Sequence, residues 1–158
     1  MGSRNNFGQT NDVRCPMVFP AATTSAMKAA GGKFVKIDTN GCITLAIASD
    51  LAVIGWAQVG EFTFVAGDMI TVNIAADAVY EMPTDATATE AELKALLGQT
   101  CDLKITSGIQ QADIGNSTYD QLQIVGYHYF GSGSGEQTVL VRLNRSVTDA
   151  ACGALGVA

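Results

Sequence analysis

A chain of 158 residues that is 47% hydrophobic and only 15% charged has enough apolar content for one core of ordinary size, and its length gives no reason to expect two domains. The net charge of −6 argues against a duplex nucleic-acid binder, which neutralises phosphates with clustered Lys and Arg. The longest charge-free apolar stretch, Leu51 to Gly60, is too short to span a bilayer, and the N-terminus lacks the apolar run of a secretory signal, so neither membrane insertion nor secretion is expected.

The first 32 residues are rich in Gly, Ser, Asn, Thr, Gln and Pro, with short apolar groups at Pro16-Met17-Val18-Phe19-Pro20 and Ala26-Met27 and no sustained period. Such a segment does not offset its own ordering entropy, and an extended N-terminal arm over 1–32 is predicted, ordered by a partner surface. Residues 1–36 carry Arg4, Arg14, Lys28, Lys33 and Lys36 against Asp12 alone, a balance of +4, which leaves the remaining 122 residues at −10. Arm and body thus have opposite signs.

From Lys33 the pattern changes to short β-rich runs separated by turn residues. Lys33 to Asp38 and Cys42 to Ala46 flank Thr39-Asn40-Gly41, a strong hairpin signal because Asn and Gly tolerate positive φ. Strands are also predicted over Ala52 to Gln58, Phe62 to Val65, Met69 to Ile74 and Ala78 to Met82, with Gly60-Glu61 and Ala66-Gly67-Asp68 as turns. One short helix follows over 89–97: Thr89 and Glu92 form a capping box, Leu93, Leu96 and Leu97 an apolar stripe, and Gly98 a stop. It reads as a lid over a barrel end or sheet face.

Strands resume at Thr100 to Ile105, Gln110 to Ile114, Asp120 to Tyr129 and Gln137 to Leu143, and the Gly131-Ser132-Gly133-Ser134-Gly135 run between the last two reads as a hairpin tip. Ser146 and Asp149 have cap spacing for a short C-terminal helix, which Gly153 and Gly156 weaken. The predicted fold class is mainly β, a small β-barrel or β-tulip/sandwich with one short helix and an extended N-terminal arm. The predicted organisation is an arm over 1–32, a β domain over 33–145 and a tail over 146–158.

No set of residues assembles into a catalytic centre. His128, the only histidine, sits in the aromatic run Gly126-Tyr127-His128-Tyr129-Phe130, where packing beside tyrosines is the commoner role. Cys15, Cys42, Cys101 and Cys152 are scattered with no CxxC and no His nearby, which favours free thiols over a zinc site or a disulfide framework. The acids Asp38, Asp50, Asp68, Asp77, Asp102, Asp113 and Asp120 are dispersed, and turn formation explains Asp38, Asp50 and Asp68. Asp113, Asn116, Ser117, Thr118 and Asp120 bring oxygen donors close together without EF-hand spacing, so a polar loop is favoured over a calcium site. Trp56 lies in an apolar run and reads as core. No cofactor and no metal are predicted.

The run Phe34-Val35-Lys36-Ile37-Asp38, then Gly41, Leu45-Ala46, Val53-Ile54-Gly55 and Ala66-Gly67-Asp68-Met69-Ile70-Thr71-Val72 resembles the head decoration, or cement, proteins of tailed phages over residues 33–82. The resemblance implies a compact β domain that clusters, often as trimers, on the outside of a capsid and clamps major-capsid subunits, with an extended arm lying along them. The long arm, the helix and the second β segment from Thr100 depart from that pattern. The basic arm on an acidic body suits docking to a neighbouring subunit, and Val18 and Phe19 suit addition of a strand to a sheet edge.

The expected function is therefore a non-enzymatic virion structural protein on the capsid exterior. Its expected partners are the major capsid protein and itself, as a homotrimer, and Arg4, Arg14, Val18, Phe19 and Lys28 are the arm residues that make contact. A carbohydrate- or receptor-binding β module is the alternative, with Trp56, Tyr119, Tyr127, Tyr129 and the Gly-Ser loop as its surface. A third reading, a hydrolase built on two dispersed acids, needs a pair that the sequence does not single out.

Overall fold

A computed structural model describes residues 15–22, 25–27, 33–57, 62–75, 77–106, 108–133 and 136–154. The fold is mainly β, as the turn-separated runs predict. Among the described residues twelve strands lie in chain order: β1 (Pro16–Pro20), β2 (Ser25–Met27), β3 (Lys33–Ile37), β4 (Ile43–Leu45), β5 (Val53–Ala57), β6 (Phe62–Phe64), β7 (Met69–Asn73), β8 (Tyr80–Pro83), β9 (Thr100–Thr106), β10 (Ile109–Asp113), β11 (Leu122–Tyr129) and β12 (Gln137–Leu143). Helix α1 (Glu90–Ala95) lies between β8 and β9, and helix α2 (Arg145–Ala154) follows β12.

Two five-stranded antiparallel sheets form, one in the order β1-β7-β5-β3-β4 and the other β10-β9-β11-β12-β8, with β2 and β6 as a separate pair. A single parallel bridge joins the edges of each sheet, Ala21 to Ile43 in the first and Thr84 to Ala112 in the second. Each sheet therefore curls back on itself, and the whole is sandwich-like. The Asn40-Gly41 turn forms as predicted: Gly41 takes φ of 75° and β3 pairs with β4 from Ile37 opposite Ile43.

β5 is the central strand of the first sheet and is buried along its whole length. Phe34, Ala46, Val53 and Trp56 pack with Tyr80, Met82, Leu103, Leu122, Ile124 and Val139 of the second sheet and with Leu93 of α1. Val35, Ile37, Ile54, Ile70 and Val72 form a second cluster, against which Phe19 and Cys152 of α2 pack. Gly55 sits where β5 and β7 approach so closely that a Cβ would lie 2.2 Å from the Asn73 carbonyl oxygen. Only a residue without a side chain fits there.

Helix α1 has the predicted capping box, with Thr89 accepting from the Glu92 amide and the Glu92 carboxylate accepting from the Thr89 amide. The helix ends at Ala95, so Leu93 is buried, Leu96 half-buried and Leu97 exposed, a narrower stripe than the three leucines predict. Among the described residues a second helix, α2, forms in the tail, where the Ser146 and Asp149 spacing suggests a short one. The C-terminal helix starts one residue before Ser146, and Ser146 is not its cap, because its hydroxyl donates to Asn144 Oδ1 at 2.6 Å while the Asn144 carbonyl accepts from Val147 and Thr148.

Candidate functional site

Residues Pro16–Pro20 are extended, as the arm reading expects, but they pair with their own chain: β1 lies antiparallel to β7, Met17 opposite Val72 and Phe19 opposite Ile70. The reason is the alternation that so short a run conceals. Phe19 is half-buried and packs on the second cluster, while Val18 points outward and is 55% exposed. Of the arm residues expected to make contact, Val18 and Phe19 therefore part ways, one on the surface and one in the core. Arg4, Arg14 and Lys28 lie outside the described residues.

The hydrogen bonds flanking the β1–β7 ladder fix which groups reach the free edge. The Cys15 carbonyl accepts from Ile74 at 3.0 Å and the Ala21 amide donates to Asp68 at 2.8 Å. Odd-numbered residues of β1 thus face β7 with their backbone groups. Pro16, Val18 and Pro20 turn theirs the other way, and two of these three have no N–H. The edge offers one donor, at Val18, which blunts continuous strand addition.

The outer face of the same two strands is apolar. Val18 lies opposite Thr71 and Pro20 opposite Met69, and Met69 is 64% exposed. Val65, 59% exposed, belongs to the turn that leads into β7, where the Gly67 amide donates to the Ala21 carbonyl. Val18, Val65 and Met69 thus place three of the eleven exposed large hydrophobic residues found among the described residues on β1, on β7 and in the turn that leads into it, while Met17, also exposed, lies on the Phe19 side of β1.

The charge asymmetry has a smaller basis in the fold than in the sequence. Lys33 is buried in β3, where desolvation lowers its pKa. Lys36 Nζ lies 2.8 Å from Asp50. Two of the five bases counted toward the +4 segment thus serve the body itself.

Asp38, Asp50, Asp68, Asp85 and Asp102 accept from the chain's own backbone amides or lysines. Asp38 accepts from the Asn40 and Cys42 amides, and Asp68 accepts from Val65. Asp50 accepts from Ile47 and pairs with Lys36. Asp85 accepts from Ile114 and pairs with Lys104 at 2.9 Å. Asp102, fully buried, accepts from the Thr118, Tyr119 and Asp120 amides at 3.1, 2.8 and 2.8 Å, which folds the loop from Asn116 to Asp120 over it. Among the described residues no group of three or more His, Cys, Asp or Glu side chains is placed to hold a metal ion.

His128 is exposed on β11, its Nδ1 3.0 Å from Glu81 Oε1, and the same oxygen accepts from the Thr138 hydroxyl. Trp56 is 3% exposed, stacked on Tyr80 at 4.6 Å and edge-on to Phe34. It is therefore core, as its apolar run predicts, and takes no part in any sugar-stacking surface. Tyr127 and Tyr129 pack partly against the first cluster. Cys15, Cys42, Cys101 and Cys152 are all free thiols. No helix among the described residues is long and apolar enough to cross a membrane.

Fold and surface together define a mainly β sandwich with an apolar, proline-flanked edge. No protein-family model, curated protein or solved structure matches this chain.

Proposed function

We propose that this chain is a structural protein that decorates a tailed-phage capsid from outside, binding major-capsid subunits through its N-terminal part and associating with copies of itself as a trimer, without catalysing a reaction. The observation that carries the reading is the exposed apolar surface of Val18, Val65 and Met69, which brings β1 together with the turn and strand that resemble the decoration proteins. An apolar patch of this kind is the usual mark of a surface covered in an assembly. The proline-flanked edge favours contact by side chains over addition of a long strand, so Val18 acts as an anchor rather than as a donor of a ladder.

The test uses the full chain and avoids truncation of residues 1–32, which would remove β1 from its sheet. In lysate from its native source the protein is expected to co-sediment with particles of capsid mass. The double variant Val18→Asp, Met69→Asp is expected to lose that association while keeping its circular dichroism and melting temperature, because both side chains are exposed. A double variant that occupies capsids as fully as the wild type would remove this surface from the contact. A wild-type chain that sediments alone would remove the decoration reading.

A further inference from the structure

Beside Ile74, at the end of β7, the last residues of β12 and the start of α2 open a cleft of about 330 Å3, lined by Asp77, Gln123, Arg142, Leu143, Asn144 and Arg145. Arg142 and Arg145 are the only arginines among the described residues, and both line it. The Arg142 guanidinium has a single hydrogen bond among the described residues, from Nε to Gln123 Oε1 at 2.9 Å. That contact fixes the plane of the guanidinium and leaves both terminal nitrogens without an acceptor among the described residues. Arg145 is held by the Ile74 carbonyl at 2.7 Å and by Asp149 at 3.3 Å. The start of α2 adds the positive end of its dipole.

We propose that this cleft binds a single carboxylate side chain presented by a peptide segment of a partner protein. A guanidinium whose Nε is already engaged still offers a planar pair of donors, which suits a carboxylate, and two guanidiniums held in place lose little freedom on binding. Asp77 on the lining and the net charge of −6 favour a singly charged group over a phosphate dianion. The proposal goes beyond the decoration reading and stands without it.

The experiment follows the arginine Nε–H signals and the Asn144 side-chain amide by NMR on the full chain at low salt. Three probes are titrated: acetyl-Ala-Glu-Ala-amide, acetyl-Ala-Gln-Ala-amide and inorganic phosphate. The glutamate peptide is expected to shift the signals saturably and the glutamine peptide to leave them in place. Arg142→Gln is expected to weaken binding about tenfold or more with the melting temperature unchanged, Arg142→Lys to fall between, and Asp77→Asn to tighten it. Equal shifts from both peptides, unchanged affinity in Arg142→Gln, or phosphate binding tighter than the glutamate peptide would each overturn the carboxylate assignment.

Discussion

Cys101 shows how the fold sets the behaviour of one side chain. Its thiol is fully buried in the first core cluster, and desolvation, aided by the carboxylates of Asp102, Asp113, Asp85 and Asp120, pushes its pKa up to about 12 from 9.0. Burial moves Tyr80 in the same direction, from 10.0 to about 12. For both groups the folded state binds the proton more tightly than the unfolded chain. Their contribution is therefore fully present below about pH 9 and is lost as pH rises toward 12. Melting temperature is expected to fall as pH rises above 9, and Cys101→Ala is expected to flatten the first part of that fall. Thiol labelling in the native state is expected to modify exposed Cys15 quickly and Cys101 only on unfolding. The turn roles of Asp38 and Asp68 are legible in the sequence because their partners lie within four residues. The role of Asp102 is not, because its donors come from residues 118–120.

At the scale of elements, local chemistry predicts what local chemistry determines. The capping box of α1 and the Asn40-Gly41 hairpin depend on contacts three or four residues apart, and both form where the residues place them. β1 depends on β7, more than fifty residues on, and its five residues carry too few alternations to announce a strand. Its orientation is testable. Phe19→Ala removes a ring packed on the second cluster and is expected to cost about 2 kcal/mol of unfolding free energy. Val18→Ala, on the opposite face, is expected to stay within about 0.5 kcal/mol. Urea denaturation of both variants measures the difference, and equal costs would mean that β1 does not present Phe19 to the core.

Across the whole molecule, the two sheets are joined by buried amides as well as by apolar packing. Gln110 of β10 accepts from the Phe34 amide at 2.8 Å and donates to the Phe34 and Ala46 carbonyls, both at 2.9 Å. Gln121 accepts from Leu103 and donates to the Ile47 and Asp50 carbonyls. These links give partners to the Phe34 and Leu103 amides and to the Ala46 and Asp50 carbonyls, and add a second donor at the Phe34 and Ile47 carbonyls. Gln110→Leu would keep the volume and take their Gln110 partner from the Phe34 amide and the Ala46 carbonyl, while the Phe34 carbonyl would still accept from the Ala46 amide. It is expected to cost about 3 kcal/mol or more by denaturant unfolding. A cost under about 1 kcal/mol would show that the amide bridge is replaceable.

The sequence by itself determined that the chain is mainly β and where most strands, the main turns and α1 lie, because side-chain alternation, positive-φ residues and capping are short-range properties. It also placed Trp56 in the core. Only the tertiary structure decided that β1 belongs to the body, that Lys33 and Lys36 serve the sheet they lie in, and that Arg142 and Arg145 share a cleft with Asp77. Each of these rests on a pairing between residues brought together by sheet closure, and nothing in a residue's near neighbours encodes which distant strand, carboxylate or cleft it will meet.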